Sequence, residues 1–167
     1  FRHKYSLSPI DVINPDLKNA DSLSVDSSID SVGEKTLQSL GSISGGLKFS
    51  ILSSGSAGNS VYIEAGGKRI LIDAGLSEKK LAQRMSLIGR SLNGLDAVFA
   101  THEHSDHIRG MGPLIRKHGA QLYTTEGTYK QACPTLGKLP GFNPIRAGQP
   151  VEFGELIVEP YTTPHDA

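Results

Sequence analysis

The chain is short of three things, and each shortage closes a class of function. It holds one cysteine in 167 residues, which excludes an internal disulfide framework; Cys133 fits a reducing, cytoplasmic compartment. It carries no net charge, 17 Lys/Arg against 17 Asp/Glu, so bulk electrostatics name no partner. No apolar run approaches the roughly 18 residues of a membrane span, so a membrane is not expected as a partner. A Ser or Cys nucleophile with an evident base beside it is also missing, as is any internal repeat.

What is present is concentrated in one stretch, Thr101-His102-Glu103-His104-Ser105-Asp106-His107-Ile108-Arg109-Gly110. Three imidazoles and a carboxylate fall in the pattern His-x-His-x-Asp-His. In an extended loop the period of two turns His102, His104 and Asp106 to one side, and His107 follows directly. Imidazole and carboxylate are the donors that zinc, manganese and iron(II) take. Four such donors are more than one tetrahedral ion can take from so short a loop while keeping an open position, so two adjacent ions are the simpler reading. The competing reading is a solvated His-rich loop. It explains neither the intervening Asp106 nor the apolar strand that leads straight into the motif. Glu103 and Ser105, on the alternate positions, are expected beside the donors or in solvent.

In chain order, residues 1–46 read as a Ser/Asp-rich tail or linker. The tail carries ten serines, prolines at Pro9 and Pro15, and no sustained apolar period, a composition that cannot offset its own ordering entropy. The remaining residues, 47–167, hold 13 Lys/Arg and 11 Asp/Glu, too small an excess to argue nucleic acid. They open with strands at Lys48–Leu52, Val61–Ala65 and Arg69–Asp73, the last two joined by a hairpin at Gly66-Gly67. A helix is expected over Glu78–Ile88, capped by Ser77 and stopped by Gly89. The strand Leu95–Ala100 delivers the His-rich motif. A helix over Ile108–His118 follows, ending at Gly119, with Pro113 marking a start or a kink. Next come a strand at Gln121–Thr124, a short helix from Glu126 capped by Thr125, a loop over Cys133–Pro144, and strands at Val151–Phe153 and Leu156–Tyr161 turning at Gly154. Strands alternating with helices indicate an α/β fold with helices packed on a mixed sheet.

Four segments together resemble the metallo-β-lactamase superfamily, and within it the YycJ/WalJ-like exonuclease branch. They are Leu52–Ser60, Leu71–Ser77, Thr101–His107 and Thr163-Pro164-His165-Asp166-Ala167. The His-x-His-x-Asp-His motif carries the superfamily; the Ser-Gly loop and the Pro-His-Asp-Ala end carry the branch. The resemblance implies an αβ/βα sandwich of which residues 47–167 form the N-terminal part, so the chain reads as a piece of a longer protein and as inactive by itself. It implies two divalent ions, zinc or manganese: His102, His104 and His165 on the first, Asp106 and His107 on the second. Asp106, His107 and His165 would thereby be the catalytic set, and Asp73 would orient the loop through hydrogen bonds. The expected activity is hydrolysis of phosphodiesters, most directly in DNA, by a hydroxide held between the metals. A lactam, thioester or lactone substrate, or a metal-binding remnant without catalysis, are the alternatives. The loop Ser54, Gly55, Ser56, Gly58 and Asn59 is expected to meet substrate phosphate through free backbone N–H groups. His118 reads as a cation at a helix C-terminus, and Cys133 as chemically idle.

Overall fold

A computed structural model describes residues 46–164. The tail read over residues 1–46 lies outside it except for Gly46, and so do His165 and Asp166. One six-stranded sheet runs in the order β1 (Lys48–Ser53), β2 (Ser60–Ala65), β3 (Lys68–Ile72), β4 (Ala97–Phe99), β5 (Gln121–Thr124) and β6 (Asn143–Pro144). The first three strands are antiparallel neighbours; β3 to β6 are parallel. Parallel neighbours need crossovers, supplied here by α1 (Glu78–Leu87), then α2 (Ser105–Ile108) with α3 (Met111–His118), then α4 (Glu126–Leu136). A separate hairpin, β7 (Val151–Phe153) and β8 (Leu156–Val158), turns at Gly154 in the left-handed region. No helix among the described residues is long and apolar enough to cross a membrane.

Strand alternation sorts the core into two layers. Tyr62, Leu71, Val98 and Leu122 point to one face, where Leu81 and Met85 of α1, Ile108 of α2, Leu114 and Ile115 of α3 and Leu136 of α4 cover them. Ile63, Ile70, Ala97 and Phe99 point to the other, where Leu156, Val151 and Phe153 of the β7–β8 hairpin pack on them. All helices therefore lie on one face of the sheet and the hairpin on the other.

Three expectations need correction. The helix read over Ile108–His118 is two helices, because at Gly110 the chain passes so close to the 74–76 segment that a Cβ would collide with the Leu76 carbonyl oxygen. Pro113 neither starts nor kinks α3. It is the third residue of the first turn, where the N–H it lacks has no helical partner in any case. The loop read from Cys133 is helical to Leu136, since Ala132 and Leu136 lie one turn apart and are both buried. Pro134 removes a bond only from the carbonyl of exposed Lys130, where water can replace it. β6, with its proline, sits at the sheet edge where one is tolerated.

The antiparallel side is tied to the helical layer by Glu64. Its carboxylate accepts from Arg90 Nε at 2.6 Å and Nη2 at 3.2 Å, and from the hydroxyl of buried Tyr62 at 2.7 Å. Arg90's hydrogen bond, then Tyr62's, hold Glu64 down at about 2, against an ordinary 4.5; burial and Glu64 push the Tyr62 hydroxyl up to about 12. A carboxylate depressed on folding contributes stability that is complete above its unfolded pKa and is lost as pH falls through the folded one. Glu64→Gln should therefore lower the urea midpoint at pH 7, with the gap to the parent closing between pH 4.5 and about 2. A pH-independent gap would mean that the Arg90 pair contributes nothing through ionisation.

Candidate metal centre

The site forms at the carboxyl ends of β3 and β4, where parallel strands of α/β sheets present their loops to ligands. Beyond β3 the chain still bonds to β4 through Asp73 N–H to Phe99 O, 2.8 Å. Asp73 then turns at φ 61°, the one non-glycine residue with positive φ among those described. That conformation, which Asp tolerates better than most residues, swings its carboxylate under the end of β4. There it accepts from Thr101 N–H at 2.9 Å, from Thr101 Oγ1 at 2.8 Å and from His107 Nδ1 at 2.6 Å. Burial pushes the Asp73 carboxyl up, opposed by the His107 and Thr101 hydrogen bonds. The same burial pushes His107 down, but the Asp73 bond and charge, with Asp106, outweigh it and raise the ring above its usual value.

These contacts orient the imidazoles. A carboxylate can only accept, so the proton lies on His107 Nδ1 and the lone pair on Nε2. Thr101 Oγ1 stands 2.9 Å from His102 Nδ1; with its own hydrogen given to Asp73, it accepts there, which puts the His102 lone pair on Nε2 as well. The His102 ring centroid lies 4.0 Å from that of His107 and 4.7 Å from that of His104. Asp106 Oδ2 is 3.6 Å from His107 Nε2. The structure thus brings His102, His104, Asp106 and His107 together around Asp73. Thr101 has a part that the sequence reading missed; the available signal was a hydroxyl directly between a strand end and the first histidine.

The loop between β1 and β2 holds this arrangement from the other side. Asn59 N–H donates to Asp106 O at 2.7 Å, Asn59 O accepts from Gly75 N–H at 2.9 Å, and Ala74 N–H donates to His107 O at 2.7 Å. The expected nest of free N–H groups does not hold at three of its positions. Gly55 N–H is spent on Asn59 Oδ1 at 2.9 Å, Gly58 N–H on Gly55 O at 3.0 Å, and Asn59 N–H on Asp106. A tight turn satisfies its donors internally where it must also brace a neighbour. Ser54, Gly55 and Ser56 are exposed.

Elsewhere, His118 reaches Asn93 Oδ1 at 2.6 Å and Glu78 Oε1 at 2.8 Å, pinning the end of α3 to the start of α1. Glu78 is held below the usual carboxylate range by His118, then Lys117. Cys133 is half-buried and unpaired with another cysteine.

A family model for the metallo-beta-lactamase superfamily matches residues 54–166. The chain belongs to that superfamily. It is 44% identical over 126 residues to a protein of Streptococcus pneumoniae serotype 2 named exodeoxyribonuclease WalJ, covering 73% of this chain and 47% of the relative. It is 37% identical over 124 residues to exodeoxyribonuclease YycJ of Bacillus anthracis, with the same coverages of 73% and 47%. The chain thus spans about half the length of these relatives. Among solved structures, BJP-1, a subclass B3 metallo-beta-lactamase of Bradyrhizobium japonicum, superposes with a TM-score of 0.55 at 18% identity, over 64% of this chain and 46% of that one. At that identity the likeness is one of fold.

The metallo-β-lactamase fold implies divalent metal ions. The donor chemistry fits them: two rings have Nδ1 anchored on the Asp73–Thr101 pair, the pattern that fixes imidazole tautomers for metals, and the Asp106 carboxylate lies beside them. Among the described residues no three His, Cys, Asp or Glu side chains converge closely enough to enclose an ion. His165, the remaining expected ligand, lies outside them.

Proposed function

We propose that the protein carrying this chain is a dinuclear metal-dependent phosphodiesterase, an exonuclease acting on DNA in the cytoplasm. His102, His104 and His165 would hold one ion, zinc or manganese, and Asp106 and His107 a second. When bound, such ions supply Lewis acidity that activates water and neutralises charge on phosphoryl oxygens. The chain's own residues do the positioning. Asp73 and Thr101 set the rings of His102 and His107, and the exposed hydroxyls of Ser54 and Ser56 stand at the mouth to meet a phosphate. The observation that supports hydrolysis is the buried Asp73 carboxylate, 2.6 Å from His107 Nδ1. Such an anion beneath a histidine cluster is poorly explained by a solvated His-rich loop. DNA as substrate rests on the names of the 37–44% identical relatives.

The test is the full-length protein with Mn²⁺ or Zn²⁺ on end-labelled DNA. Progressive shortening that EDTA stops is expected, with a chromogenic cephalosporin left intact. Cephalosporin turnover without nuclease activity would replace this reading with lactam hydrolysis; no turnover of either by metal-loaded protein would favour a non-catalytic module.

Asp73 offers a sharper check. Asp73→Asn keeps a residue that tolerates φ 61°, but its amide cannot accept from both Thr101 and His107. We expect about 10–100-fold weaker divalent-ion binding, with a smaller loss of stability than Asp73→Ala, which adds backbone strain. Isothermal titration with Zn²⁺ beside thermal melts checks both. Unchanged affinity in folded Asp73→Asn would remove Asp73 from the site.

A further inference from the structure

We infer that Asn59 is a positioning residue that sets the Asp106 carboxylate and the His107 ring relative to each other; the inference rests on the dinuclear reading above. All four polar groups of Asn59 are committed. Its N–H and C=O lock the Asp106 and Gly75 backbones, and Oδ1 accepts from Gly55 N–H at 2.9 Å. That leaves Nδ2, which has two hydrogens. It lies 3.1 Å from Asp106 Oδ2 and 3.1 Å from His107 Nε2.

The amide orientation follows from its partners. Gly55 N–H can only donate, so Oδ1 must face it, and Nδ2 is left facing the carboxylate and the ring. His107 has its Nδ1 hydrogen on Asp73, so its Nε2 accepts from Asn59. The His107 ring is therefore gripped at both nitrogens, by Asp73 from below and by Asn59 from the loop. Asp106 meets Asn59 through Oδ2, and its carbonyl oxygen takes the Asn59 N–H. The two residues proposed for the second ion are thus the two that Asn59 touches. His102 and His104, proposed for the first, have no printed contact with it. A residue that merely closed the β1–β2 loop would need only Oδ1 and the backbone bonds.

The different reach of Asn59 into the two sets makes the test selective. In the full-length protein, Asn59→Ala and Asn59→Ser remove the two-armed donor; the serine hydroxyl suits this Ser-rich loop but is too short to span Asp106 and His107. Ser60→Ala is the structural control, because Ser60 Oγ donates at 2.8 Å to the Asp73 backbone and to neither residue. Zn²⁺ affinities are read by competition with a chromophoric chelator, beside thermal melts. The expected result in either Asn59 variant is a loss of about tenfold or more in affinity for the weaker-bound ion, with the tighter-bound ion unchanged. Ser60→Ala should lower the melting temperature and leave the ratio of the two affinities as in the parent. Equal weakening of both ions, or a fall in melting temperature with both affinities kept, would overturn the inference and reduce Asn59 to a loop tether. If the parent binds a single ion or none, the dinuclear reading itself fails, and the inference goes with it.

Discussion

Asp106→Ala in the full-length protein is expected to lose DNA hydrolysis by well over about 100-fold, since even the outer hydrogen-bond partners of metal ligands cost 10–100-fold. Its melting temperature should stay within about 3 °C of the parent, roughly 1 kcal/mol for a protein of this size class. The two halves of that expectation come from different atoms of one residue. The fold uses the Asp106 carbonyl oxygen, which takes the Asn59 N–H at 2.7 Å, and alanine keeps it. The proposed chemistry uses the carboxylate, which is partly exposed and packs into no core. His102→Ala should be as inactive but less stable, because its ring is only 4% exposed and bonded to Thr101. End-labelled DNA assays, metal analysis and melts on the same preparations separate these effects. Parental activity in folded, metal-depleted Asp106→Ala would refute the assignment.

The parts of this molecule that were legible in the sequence are those where one periodicity rules. The strands alternate over a two-faced sheet, so Tyr62, Leu71 and Val98 against Ile63, Ile70 and Phe99 could be sorted by parity. α1 declares itself through Ser77, whose hydroxyl accepts from Lys80 N–H at 3.4 Å, and through Gly89 at φ 67°. The His-rich motif was visible because donor types were crowded after an apolar strand. What stayed hidden depends on contacts between distant segments. Nothing local to Met111–His118 says that Gly110 must pass under Leu76. Nothing local to Cys133–Leu136 says that Leu136 reaches the core past Pro134. The Ser-Gly loop misled for the same reason. Its small residues suit a nest or a brace equally well, and only the positions of Asp106 and Gly75 decide in favour of the brace at Gly55, Gly58 and Asn59.

Gly75→Ala should do the most damage of any single methyl group in this chain. Three backbones meet at Gly75. Its N–H donates to Asn59 O at 2.9 Å, and neighbouring Ala74 donates to His107 O and accepts from Gly110 N–H at 2.8 Å. An added Cβ would collide with the carbonyl oxygen and carbon of Asp106, and would also stand 2.7 Å from Asn59 N. None of these is the end of a flexible side chain, so the strain cannot be relieved by a rotamer change. Either the 101–107 loop moves away or the 74–76 segment does. Overpacking a well-filled site costs about 1–3 kcal/mol and sometimes more. A cost of about 3 kcal/mol corresponds to a fall of roughly 6–12 °C in a protein of 150–250 residues. Because Asp106 itself must shift, DNA hydrolysis should fall with it even at temperatures where the variant is folded. Gly127→Ala is the matched control. That position lies in the first turn of α4, where a Cβ meets nothing closer than Thr125 Oγ1 at 3.8 Å, and alanine favours a helix over glycine by up to about 1 kcal/mol. It should melt at or above the parent and keep full activity. Melts of the two variants side by side check the pair: a Gly75→Ala protein that melts with the parent would mean that the three segments do not meet as described.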